Sequence, residues 1–263
     1  VLTFGEPPTT NVRVTALSVL LLHGDAESRL LAQAGETLSA GLGGTDVRFT
    51  AAWTTRSDLL GSDAPSPPAS LRARGLLPDR DVRELLEKPA DLVLLSVLPD
   101  AALPVLRTPD GGAFVVHREL AKGWSPEQRG AIETECVDGG LLHPADAAAS
   151  LERVIEQLQG RGVVVALCNI FRHVREPREY RHGHAPLSLR ERIRAVNLEA
   201  ARLSHRTGCF VLDLDRALAH EGGAALNADC FGGSGRAEEL ALEELFALVL
   251  AAVPSATEAG GAA

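Results

Sequence analysis

Several positions bring together residue types that can do chemistry. Asp25 closes the stretch His23-Gly24-Asp25 after an apolar run, and Ser28 follows about one helical turn on. A carboxylate there can serve as a general base, and Ser28 offers a hydroxyl nucleophile. Both residue types also cap the first turn of a helix, which needs no catalytic role. Cys230 offers a thiol, a good nucleophile only when its pKa is lowered; no His or Arg stands adjacent to it in the sequence, so a buried inert thiol is the alternative. Trp53, Thr54 and Thr55 combine an aromatic wall with two hydroxyls, Asp100 adds a second carboxylate, and Asn169 and Asn227 add amides.

Arg172, His173 and Arg175 open the segment 171–194, in which seven Arg against three Glu give a charge of +4 inside a chain of net charge −9. Guanidinium groups hold phosphate, sulfate or carboxylate by paired N–H bonds. The segment is therefore expected to bind an anion, to dock an acidic carrier protein, or to be a solvated basic face. His182 and His184 lack a third ligand at metal spacing, so no metal is expected, and no cofactor either.

These residues must be positioned by elements, and the hydrophobic pattern supplies them. Apolar runs at 14–22, 46–51, 91–98, 163–167 and 209–214 read as strands, the third stopped by Pro99. Helical patterns separate them at 27–42, 79–88, 144–159, 188–205 and 235–253. Ser188 and Glu191 have the spacing of a capping box, in which each side chain satisfies the other's free backbone N–H. Residues 99–145 read as an irregular elaboration with a short extended piece at 113–117, and 254–263 as a frayed tail. Strands alternating with helices predict an α/β fold: three layers, α/β/α, around a five-stranded parallel sheet, as one domain over 1–253. Such sheets bind ligands outside the carboxyl ends of their strands. Residues 23–26, 52–55, 99–100, 168–169 and 214–233 fall there.

Composition narrows the function classes. Hydrophobic residues make up 45% and charged residues 23% of the 263, an ordinary globular profile that excludes wholesale disorder. The acidic balance argues against nucleic acid as partner. No uninterrupted apolar run reaches spanning length, and no basic-then-apolar leader opens the residues given, so no membrane partner and a cytoplasmic setting are expected. Cys136, Cys168, Cys209 and Cys230 are widely spaced without a CxxC pair, which favours free thiols in a reducing compartment. Basic residues are Arg except for Lys88 and Lys122, and Ala, Gly and Pro abound, a composition expected of a GC-rich bacterial genome.

The order of blocks resembles the SGNH (GDSL-type) hydrolases. An apolar strand ending Leu21-Leu-His-Gly-Asp-Ala26 is similar to the family's first block, Phe49 to Leu60 to its second, Val97-Leu-Pro-Asp100 to its third, and Asn227-Ala-Asp-Cys230 to its last. The resemblance implies the SGNH type of sheet, with a flavodoxin-like strand order. It also implies that the nucleophilic Ser falls on Ala26, the base His on Cys230 and its orienting Asp on Asn227. The oxyanion Gly falls on Trp53 and the oxyanion Asn on Pro99. Acyl transfer through Ser needs a nucleophile, a base and those donors, so the resemblance implies the fold without implying an esterase.

Three functions are then expected. The first is a repurposed enzyme lacking the Ser–His machinery, with Asp25 as base. It would act on an anionic small molecule, free or on a carrier, in bacterial specialised metabolism, by displacement, elimination or cyclisation. The second is an acyl hydrolase with a relocated nucleophile, Ser28 or Cys230. The third is a non-catalytic ligand-binding or partner subunit, with a homodimer among the possible assemblies.

Overall fold

The computed structural model describes residues 17–24, 47–61, 63, 67–170, 187–220 and 235–252. The expected helix at 27–42 and the tail lie outside the described residues. The main sheet is parallel and has five strands: β1 (Leu17–His23), β2 (Val47–Trp53), β3 (Leu92–Ser96), β7 (Val164–Cys168) and β8 (Phe210–Leu212). Its order is β2-β1-β3-β7-β8, the flavodoxin-like order.

Period-two alternation divides each central strand between two cores. Leu20 and Leu22 of β1, Val93 and Leu95 of β3, and Val165 and Leu167 of β7 face one cluster. Val19 and Leu21, Leu92 and Leu94, and Ala166 and Cys168 face the other. The first cluster is closed by two long helices, Pro144–Gln159 and Leu189–Thr207, through Leu151, Ile155, Ile193 and Val196. The second is closed by Gly235–Ala252 through Leu240, Leu245 and Val249. Burial on both faces is why these strands read as nearly continuous apolar runs.

Local chemistry sets the helix ends. Ser188 and Glu191 form the expected capping box, and Gly208 ends that helix at φ 72°, a left-handed geometry that favours glycine. Ser125 and Gln128 form a second capping box, opening a helix at Pro126–Glu135.

Several expected boundaries move. The strand expected at 46–51 continues to Trp53, because its pairing with β1 runs on to His23↔Trp53. The helix expected at 79–88 is only Val82–Leu86, since the Asp81 carboxylate accepts from the Arg83 amide and caps it there. Pro99 does not simply stop a strand; it occupies the first turn of a short helix, Leu98–Ala102, where its missing N–H costs nothing. A further helix, Leu214–His220, follows β8 directly.

The expected irregular stretch 99–145 is largely regular. Three two-residue strands, β4 (Leu106–Arg107), β5 (Ala113–Phe114) and β6 (Val137–Asp138), form an antiparallel sheet of order β5-β4-β6. Strands this short carry no readable period. Two small cores seat this sheet, one around Leu59, Leu103 and Val105 and one around Leu71, Leu76 and Phe114. Among the described residues no helix is long and apolar enough to cross a membrane.

Candidate functional site at the carboxyl edge of the sheet

β1 and β2 end side by side, and their register places His23 beside Trp53. The Trp53 ring packs against two imidazoles, with its centroid 4.8 Å from that of His23 and 4.7 Å from that of His117. His117 comes from the segment after β5, and its Nε2 lies 2.7 Å from the Thr54 carbonyl oxygen. A carbonyl only accepts, so Nε2 carries the proton. Both imidazoles thus hold the Trp53 ring in place.

A cavity of about 50 Å³ opens over Trp53, Thr54 and Thr55. Its other wall brings in Arg72, Arg80, Asp81 and Arg83. The Asp81 carboxylate binds both neighbouring guanidiniums, Arg72 Nη2 at 2.9 Å and Arg83 Nη2 at 2.8 Å. Burial would raise its pKa, but the bonds from the Arg83 side chain and amide and from Arg72 outweigh that and hold it at about 2. The site therefore carries a permanent carboxylate and a surplus of guanidinium. The sequence points to the dense Arg cluster after β7 and not to these arginines. Their only signal was the pair of Arg flanking Asp81 at positions 80 and 83, close to the breaker-rich stretch.

Three of the described amides at this edge are engaged. The Thr54 amide donates to the His23 carbonyl at 3.0 Å, and the Val97 amide to the Cys168 carbonyl at 3.2 Å. The Leu98 amide donates to Ser96 Oγ at 3.1 Å. Pro99, where the resemblance places an Asn, has no side-chain donor.

Asp100 and Asn169 are placed elsewhere. Asp100 is 1% exposed and accepts from the Ser57 amide at 2.9 Å and the Ser57 hydroxyl at 2.7 Å; it does not line the Trp53 cavity. Asn169 donates to Asp213 at 2.6 Å and accepts from the Asp215 amide at 3.0 Å, tying the end of β7 to the segment after β8. It lines a separate open groove with Arg194 and Arg216. Of the Arg-rich segment, Arg192 is described, and it turns inward, donating to the carbonyls of Asp100, Ala101 and Leu142. Asp25, Ser28, Arg172, His173, Arg175, Asn227 and Cys230 lie outside the described residues. Among the described residues, no group of three His, Cys, Asp or Glu side chains gathers as a metal site would require.

No family model and no curated protein matches the chain. Solved structures do. The psychrotrophic esterase EstA from Pseudoalteromonas sp. is 12% identical, with a TM-score of 0.46 over 89% of this chain and 97% of that one. A catalytic mutant of an acetylxylan esterase from Geobacillus stearothermophilus is 13% identical, with a TM-score of 0.49 over 88% and 93%. TesA is 14% identical, with a TM-score of 0.48 over 90% and 99%. Each is similar to this chain over most of both lengths, at 14% identity or lower.

Proposed function

We propose that this chain binds an anionic small molecule over Trp53–Thr55 and acts on it without a serine acyl-enzyme. The observation that carries the reading is the cavity at the carboxyl edge, where Arg72, Arg80 and Arg83 face a single carboxylate, Asp81. Ligands of parallel sheets gather at this edge, and guanidinium surplus selects negative charge. The engaged amides of Thr54, Val97 and Leu98 and the lack of a side-chain donor at Pro99 support a departure from ester hydrolysis. An oxyanion donor is worth roughly 10²- to 10³-fold in rate.

The reaction class is displacement or elimination of a phosphate- or sulfate-like group, or cyclisation, in bacterial specialised metabolism. Asp25 acts as base, and Arg172 and Arg175 contribute further positive charge or dock an acidic carrier protein. The setting is cytoplasmic.

The test pairs calorimetric titration with small phosphates, sulfates and carboxylates with an assay on p-nitrophenyl acetate. Anion binding without ester turnover supports the reading. Ester turnover blocked by a fluorophosphonate or a thiol reagent overturns it in favour of an acyl hydrolase acting through Ser28 or Cys230. Absence of both binding and turnover overturns it in favour of a non-catalytic subunit.

A further inference from the structure

We infer that the cavity over Trp53 takes the carboxylate of a small acid with an apolar body, held through Arg72. The inference rests on the reading that this cavity takes an anion and names the class of anion. Arg72 Nε is buried and has no hydrogen-bond partner, while Arg72 Nη2 gives its bond to Asp81 Oδ2. A buried guanidinium N–H left unmade is costly, and an acceptor supplied by a ligand would remove that cost.

Asp81 cannot supply the acceptor. Its Oδ1 takes the Arg83 amide at 3.0 Å and Arg83 Nε at 3.2 Å. Its Oδ2 takes Arg72 Nη2 at 2.9 Å and Arg83 Nη2 at 2.8 Å. Four donors fill the lone-pair sites of a carboxylate.

Charge then selects the ligand. Arg80 lines the cavity but is exposed, so solvent screens its charge; the half-buried Arg72 and Arg83 against Asp81 leave one positive charge, which a monoanion cancels and a phosphate dianion reverses. Shape selects further: Leu59, Leu77, Val82 and Phe114 line the same cavity. An apolar lining with a few placed polar groups suits a ligand with an apolar body and one polar head. The cavity of about 50 Å³ limits that body to a few carbon atoms.

The wild-type protein is titrated by calorimetry at pH 7 and fixed ionic strength with acetate, butyrate, phosphate and sulfate. The expected result is that at least one carboxylate binds roughly tenfold tighter than phosphate or sulfate. Arg72→Gln, folded by circular dichroism, weakens that carboxylate roughly tenfold or more, the size of one charged hydrogen bond. Phosphate or sulfate binding tighter than both carboxylates overturns this inference and leaves the broader anion reading standing. Failure of all four anions to bind overturns both. Unchanged carboxylate affinity in folded Arg72→Gln overturns the assignment to Arg72. If that variant does not fold, the wild-type ranking of the four anions decides.

Discussion

Ser57 gives both its backbone amide and its hydroxyl to one oxygen of Asp100, and both residues are sealed from water. Burial pushes the Asp100 carboxyl up to about 7, helped by the charge of Asp58 and opposed by Ser57 and Arg56. The folded state therefore holds this proton while the unfolded state, near 3.8, releases it. Stability is greatest below the unfolded value and falls as pH rises, by about 4 kcal/mol in all for a shift of this size, levelling off above about 7. Urea unfolding at pH 5 and pH 8 reads the slope, and Asp100→Asn is expected to flatten it. An equal slope in the variant would move the origin to another group.

Arg192 is 4% exposed and satisfies three carbonyls from two parts of the chain, Asp100 and Ala101 in the short helix after β3 and Leu142 before the Pro144–Gln159 helix. Arg192→Leu removes the guanidinium from two buried acceptors and one half-buried one, an expected loss of roughly 3 kcal/mol. Arg194→Ala, two residues on and exposed, is expected to stay within about 0.5 kcal/mol. Denaturant midpoints of the two variants check the contrast.

Turnover of p-nitrophenyl acetate is expected to be far below that of an ordinary esterase, and Ala26→Ser alone is expected to restore little. A new hydroxyl supplies neither a base nor an oxyanion donor, and parts that act as a unit do not recover singly. A large gain from Ala26→Ser would show that base and donors are in place.

Asp25→Asn keeps size and helix-capping capacity, so thermal stability is expected to change little. Turnover of the anionic substrate is expected to drop by at least about 10²-fold, the usual effect of losing a general base. Full activity in the folded variant would leave Asp25 a helix cap.

Much of the architecture was legible because both faces of the sheet are buried. Leu92–Ser96 and Val164–Cys168 stand out as apolar runs at any register, and Ser188 with Glu191 announces its helix by spacing alone. The small antiparallel sheet was not legible, since Leu106–Arg107 pairs through two residues and is identified by its partners rather than its pattern. The candidate site was half legible. Trp53, Thr54 and Thr55 could be placed at a strand end from sequence order. Arg72 and His117 reach them across 19 and 64 positions, through packing that no local pattern encodes. Arg192 shows the converse: its place in a dense basic segment suggested a ligand face, and its side chain is structural.

The strand order has a consequence for synthesis. β3 pairs with β1 on one side and with β7 on the other, so its second edge waits until Cys168 has been made. In that interval a strand of Leu, Val and Ser presents open backbone groups, the condition for sticking to another nascent chain. The intervening segment builds its own sheet from near neighbours, Leu106 with Phe114 and then Asp138, and local pairings form early. A chain ended at residue 143 is expected to self-associate through the β3 edge, which light scattering of the truncated chain would detect. The full chain buries the same edge the moment β7 arrives.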